Sequence, residues 1–280
     1  MLLAQSQTIE DHILTHLKNG PKIIVELINA IKKQRPGTTK QGVYNALRIL
    51  KKEEIVVTHK KQASLNLAWV NKISAFTSQT QNFYLKGRLD RVSLNVLDQG
   101  GKIQYFFKNP TLADAFWCHA IYILLESVPK GQAVYLYNPH CWVYITRPES
   151  ERALRDYITS KDIKYLVAVH DKLPLDKYIS NEFDGEASQY YMSGTLPFKP
   201  DNYYFNVIGD YLIEVWEDVG LTSKIEDLYK RAFIITEKEI GELRKIVIST
   251  GKTKLAISKN PKKIQKYKRI FEKHFYIKKL

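Results

Sequence analysis

Residues 38–56 read Thr38-Thr39-Lys40-Gln41-Gly42-Val43-Tyr44-Asn45-Ala46-Leu47-Arg48-Ile49-Leu50-Lys51-Lys52-Glu53-Glu54-Ile55-Val56. Val43, Leu47 and Leu50 fall at i, i+4 and i+7, the spacing of one buried helix stripe. Thr38 or Thr39 supplies an N-cap hydroxyl in front of them. The opposite face carries Lys40, Gln41, Tyr44, Asn45, Arg48 and Lys51, and no carboxylate. Asn, Gln and Arg present the planar, forked groups that match adenine and guanine edges in the major groove. Thr, Lys and Tyr suit phosphate contacts, which set position rather than sequence preference. An acid-free face of this composition points to a polyanion.

Downstream, Ile55–Thr58 and Ala63–Val70 are rich in β-formers, and the second run alternates apolar and polar residues. They predict a hairpin whose tip, His59-Lys60-Lys61-Gln62, is basic. Upstream, Ile9, Ile13, Leu14 and Leu17 make an amphipathic helix after Thr8, ending at Asn19-Gly20. A second helix is expected to open at Pro21, with Ile23, Ile24, Leu27, Ile28 and Ile31 inward. It stops before the breaker Arg35-Pro36-Gly37. The candidate DNA-binding residues are thus Thr38, Thr39, Lys40, Gln41, Tyr44, Asn45 and Arg48 on the helix, with Lys60 and Lys61 on the hairpin.

Helix, helix, the pattern T-x-Q-x-V-Y-x-x-L-x-x-L-x-x-x-x-I-V and a basic hairpin together resemble the winged helix-turn-helix transcription regulators of bacteria and archaea. The resemblance covers about a quarter of the chain, residues 1–72. It implies a recognition helix in the major groove of double-stranded DNA and a wing along the backbone or minor groove. The linker Gln34-Arg35-Pro36-Gly37 departs from the tighter turn of many relatives.

Charge agrees with basic ends around an acidic middle. Of the 280 residues, 1–72 hold 12 Lys and Arg against 5 Asp and Glu, a net +7; 244–280 hold 13 against the single Glu272, a net +12; 73–243 carry −5. Termini of that sign suit a polyanionic partner. A hydrophobic content of 44% with 12% aromatic residues is ample for buried cores, and the length suggests two domains. No apolar run is long enough to span a bilayer. The N-terminal stretch lacks the basic region of a secretory signal, so a cytoplasmic protein with no membrane partner is expected. Cys118 and Cys141 lie in apolar, aromatic surroundings and are expected as free thiols, although a disulfide is chemically open.

Residues 73–110 read as a connecting segment, with weak strand or helix signals at Phe83–Leu85 and Val92–Val96 and a strand at Ile103–Phe107. From 111 to 280 strands and helices alternate. A helix capped by Thr111 runs to Ser127, followed by strands at Ala133–Tyr137 and Trp142–Ile145. A helix at Pro148–Thr159 turns Glu149, Glu151 and Arg152 outward. Ile163–Val169 is an apolar, central strand, and strands follow at Tyr190–Met192, Tyr203–Val207 and, after a Gly209-Asp210 turn, Tyr211–Trp216. Helices at Thr222–Arg231 and Glu237–Lys245, a strand at Lys254–Ser258 and a helix at Pro261–Phe275 complete the chain. That last helix turns Ile264, Tyr267, Phe271 and His274 inward and Lys262, Lys263, Lys266, Lys268, Arg269 and Lys273 outward. The fold class is therefore α+β / α/β: a winged helix-turn-helix, then an α/β domain on a mixed sheet. The second domain is similar to the phospholipase-D-like effector domain of TrmB-type regulators.

That likeness raises the question of catalysis. His170-Asp171-Lys172 has the His-x-Lys opening of phospholipase-D active sites, but the Asp expected five residues past the Lys is replaced by Lys177, and no second copy occurs. A loop histidine is the expected reading of His170, and no enzyme is expected. His119, His140 and Cys141 read as core residues rather than metal ligands; Glu214, Glu217 and Asp218 read as a solvated edge rather than a pocket. No cofactor motif is present. The expected function is a DNA-binding transcription regulator, a homodimer on a two-fold symmetric site, with helix 111–127 at the dimer surface and a C-terminal domain that dimerises or senses a small-molecule effector. The alternatives are a nucleic-acid-processing enzyme and a defence or mobile-element protein that docks on DNA.

Overall fold

The structure, a computed structural model, describes residues 8–85, 97–170, 172–185, 188–198 and 202–275. The chain divides into two compact units, Met1–Lys86 and Gly87–Leu280. The strand signal at Val92–Val96 lies outside the described residues.

In the first unit, Thr8 and Asp11 close a capping box on helix α1 (Ile9–Leu17): the Asp11 amide donates to Thr8 Oγ1 at 3.2 Å and the Thr8 amide to Asp11 Oδ2 at 3.1 Å. The second helix does not begin at Pro21. Lys22–Ile23 form a short strand, β1, paired with Gln62 and Ala63, and the Ile24 amide donates to the Lys61 carbonyl at 2.9 Å. Those backbone bonds hold 22–23 extended, so α2 spans Ile24–Gln34. Gly37, at φ 91°, turns the chain toward α3 (Lys40–Lys52), where Thr39 Oγ1 accepts from the Gly42 amide at 3.0 Å. Strands β2 (Val56–His59) and β3 (Gln62–Leu65) follow in register His59↔Gln62. The sheet order is β1-β3-β2. Ile13, Leu17, Leu27, Ile31, Val43, Leu47, Leu50 and Val56 form the core between helices and sheet.

The second strand is shorter than its alternating sequence suggests. Asn66 donates through Nδ2 to the Glu54 carbonyl at 2.7 Å and accepts through Oδ1 from the Ala68 amide at 3.0 Å. That cap starts helix α4 (Leu67–Leu85), which runs past residue 72 and into the expected connecting segment.

The second unit is built on a seven-stranded mixed sheet. Its strands are β4 (Lys102–Phe107), β5 (Ala133–Asn138), β6 (Lys164–Val169), β7 (Ser188–Met192), β8 (Tyr203–Ile208), β9 (Tyr211–Trp216) and β10 (Thr253–Ser258), in the order β4-β10-β9-β8-β5-β6-β7. β5, β6 and β7 run parallel and the other pairings are antiparallel. Gly209, at φ 56°, makes the tight β8–β9 turn. The strand residues alternate between two cores. Tyr203, Phe205 and Val207 meet α11 (Pro261–Phe271) through Ile264, Tyr267 and Phe271. Tyr204 and Ile208 face the opposite layer, formed by α5 (Pro110–Leu125), α6 (Val143–Thr146), α7 (Pro148–Ser160), α8 (Pro174–Phe183), α9 (Val219–Arg231) and α10 (Glu237–Ile248).

The structure departs from the sequence pattern at several elements. α5 is capped by Asn109, whose Oδ1 accepts from the Leu112 amide at 2.9 Å, while Thr111 donates to the Val247 carbonyl. Trp142–Ile145 is not a strand: its β-forming residues belong to the short helix α6 and its start, where the Tyr144 and Ile145 amides bond back to Cys141 and Trp142. α8 was not legible in the sequence. Glu151 points inward, because Arg147 and Asp114 lie there. Glu214 and Glu217 are buried, not a solvated edge, and Asp218 caps α9. His274 is exposed and stacks on Tyr191 at a centroid distance of 4.3 Å, rather than packing inward. α5 buries its apolar face, Trp117, Ile121, Leu124 and Leu125, in its own core.

Candidate nucleic-acid interface

α3 is held by its apolar stripe, so its other side is fixed facing water. Gln41, Asn45, Arg48 and Lys52 are exposed and, at 3.6 residues per turn, lie within about 60° of one another. Lys40, Tyr44 and Lys51 border them on one side and are exposed as well. From residue 27 to 52 the chain carries seven basic residues and no acidic one. Thr39 is exposed, and its hydroxyl oxygen accepts from the Gly42 amide while its proton is left for a phosphate; the Thr38 hydroxyl is buried. Arg35, Lys32 and Lys33, exposed at the end of α2, add charge that the local sequence pattern did not single out.

Lys60 and Lys61 are the central pair of the β2–β3 turn, with φ of 44° and 67°. Two consecutive left-handed residues make a type I′ turn, whose twist matches the flanking strands and whose preferred residues are Asn and Gly. Both lysine side chains are exposed.

The second unit holds a separate polar cluster. Arg147 Nε lies 2.5 Å from Asp114 Oδ2, and its Nη2 donates to Glu151 Oε1 at 3.1 Å. Burial raises the Asp114 carboxyl to about 6, with Arg147 pulling the other way. Burial and the nearby Asp114 raise Glu151 to about 7 and Glu217 to about 8. Nearby, His140 is clamped by Asp176 Oδ2 at 2.9 Å on Nδ1 and by Glu226 Oε2 at 2.6 Å on Nε2. Burial alone would lower the imidazole, but the two carboxylates raise it to about 9. With both nitrogens occupied, His140 cannot serve as a base. Asp176, one residue short of the phosphodiesterase spacing, is thus employed inside the core, and Lys177 stands at the required position. Cys118 and Cys141 are free thiols. Among the described residues no group of three His, Cys, Asp or Glu is arranged to hold a metal ion, and no helix is long and apolar enough to cross a membrane.

No protein-family model and no curated protein matches this chain. Among solved structures, the crystal structure of phosphatidylserine synthase from Haemophilus influenzae Rd KW20 is similar at 7% identity and a TM-score of 0.34, over 87% of this chain and 48% of that one. This chain thus spans about half the length of that protein, and a likeness of this degree specifies neither fold nor activity.

Proposed function

We propose that residues 1–72 form a winged helix-turn-helix that binds double-stranded DNA, and that the protein is a transcription regulator. The observation that carries this reading is the exposed Gln41–Asn45–Arg48–Lys52 stripe of α3, with no carboxylate in 26 consecutive residues. A solvated helix face ordinarily mixes both charge signs; one that excludes acid and presents forked amide and guanidinium groups suits base edges bordered by phosphates. The order α1-β1-α2-α3-β2-β3, with a basic turn between the last two strands, agrees with it. A Lys-Lys pair held in left-handed conformation is unfavourable for folding alone and is accounted for by contact with the DNA backbone.

One recognition helix reads few base pairs, so the active species is a homodimer on a two-fold site. Because α5 is occupied by its own core, the dimer surface is better sought on α4, where Leu67 and Phe76 are 75% and 65% exposed. The second unit acts as the effector-sensing part, without catalysis of its own. The test is selection of duplexes from a random pool by the full chain, followed by titration of the winner. Enrichment of a two-fold symmetric sequence supports the reading; retention of single-stranded RNA instead contradicts it.

A further inference from the structure

Beneath Arg147 lies a cavity of about 30 Å³ in the second unit, lined among others by Asp114, Asn138, Trp142, Glu151 and Asn206. Asn138 and Asn206 are 3% and 0% exposed, and each keeps one polar atom, Oδ1 and Nδ2 respectively, without a partner. Buried amides are nearly always satisfied, so Asn138 Oδ1, an acceptor left open on the cavity, marks a place for a ligand's donor, whereas Asn206 Nδ2, itself a donor, does not bond to an ammonium. The charges say which kind. Asp114 and Glu151 are buried beside one guanidinium, Arg147, at 2.5 and 3.1 Å. The other cation nearby, His140 on the loop after β5, is already shared by Asp176 of α8 and Glu226 of α9. Cys118 on α5 adds no positive charge. The cluster is short of one cation, and an anion would worsen the deficit. Trp117, Trp142 and Tyr204 line the same cavity, and aromatic rings attract ammonium groups.

We propose that this cavity binds the head group of a small primary amine in its ammonium form, between Asp114 and Glu151. The volume suits an ammonium and the carbon that bears it, since one water-sized group needs about 10–15 Å³. The rest of the molecule leaves past Cys118, Val143 and Arg147, which are partly exposed. Binding replaces the proton that Glu151 holds near neutrality, so it releases a proton and strengthens as pH rises from 6 to 8. The use of the site to sense an effector rests on the regulatory reading above; its occupancy does not.

The experiment is titration of the full chain, without DNA, with ethylammonium chloride at constant ionic strength, followed by calorimetry in two buffers of different ionisation heat. Ethanol serves as the neutral isostere and Mg²⁺ as the hard cation. Expected are saturable binding of ethylammonium, none of ethanol, a buffer-dependent heat showing proton release, at least fivefold tighter binding at pH 8 than at pH 6, and at least tenfold loss in Glu151→Gln. Equal binding of ethanol, a flat pH profile, displacement of ethylammonium by equimolar Mg²⁺, or full affinity in a folded Glu151→Gln would overturn the proposal. Should that variant not fold, the pH profile of the unaltered chain decides alone.

Discussion

Lys60 and Lys61 stand side by side at the β2–β3 turn, both in the left-handed region at φ 44° and 67°. For an L-residue other than Gly or Asn that conformation costs roughly 1 kcal/mol. Lys60→Asn combined with Lys61→Gly should therefore raise the stability of the first unit by about 1 kcal/mol. The same change should weaken binding to every duplex and reduce the salt slope by roughly two, one for each phosphate that the turn no longer neutralises. Gained stability with unaltered DNA affinity would remove the turn from the interface.

The start of α3 yields a prediction about folding alone. Thr39→Ala deletes the hydroxyl that accepts from the Gly42 amide, which should cost about 1 kcal/mol. Thermal melting followed through the first unit should register the loss. Thr39→Ser, which keeps the acceptor, should restore most of it.

α11 separates two kinds of lysine. Lys263 Nζ reaches Glu214 Oε1 at 2.5 Å, and Glu214 also accepts from the Tyr203 hydroxyl at 2.5 Å. Lys263→Glu should destabilise the second unit by roughly 2 kcal/mol, since it leaves a buried carboxylate facing a like charge. Lys262→Glu with Lys266→Glu changes only exposed positions and should move the melting temperature by little. The sequence pattern groups these lysines as one outward face, and only the partner on β9 distinguishes them.

The second unit should lose stability as pH rises. Asp114, Glu151 and Glu217, raised to about 6, 7 and 8, hold protons in the folded state that the unfolded chain has already released above pH 4–5. Folding then binds protons, so stability falls from about pH 5 through pH 8. His140, raised to about 9, contributes stability that is complete below its unfolded value near 6.5 and is lost through 9. Glu226, lowered to about 2 chiefly by its bond to His140, acts oppositely, its share vanishing only as pH falls from about 4.5 toward 2. Melting temperatures from pH 5 to 9 should decline steadily, and Glu217→Gln should flatten the decline between 6 and 8. A maximum near pH 8 would contradict this assignment.

What the sequence disclosed followed periodicity. α1, α3 and the hairpin were legible because their apolar spacing and caps agree, and the central strands because they are apolar throughout. Pro21 misled because a proline suits a strand edge as well as a first helical turn, and only the pairing of residues 22–23 with Gln62 and Ala63 decides between them. Asn66 interrupts an alternating run whose strand ends where its side chain caps α4. The proposed interface residues of α3 and the turn form a local pattern in the sequence. The Asp114–Arg147–Glu151 cluster was not, since its members come from α5, the residue preceding α7 and α7, and only tertiary packing brings them together. For the same reason the bond between Asp176 and His140, 36 residues apart, has no signature in the sequence.

DNA recognition by α3 is tested most directly by equilibrium titration of the full chain on its selected duplex and on a scrambled one, for the parent, Asn45→Ala and Arg48→Ala. Asn45 and Arg48 lie one helical turn apart on the exposed stripe. Each variant that breaks a base contact should lose about 1–3 kcal/mol on the selected duplex, with little change on the scrambled one. Unchanged affinity of both variants for the selected duplex, or no duplex binding by the parent at low salt, would contradict recognition through this helix.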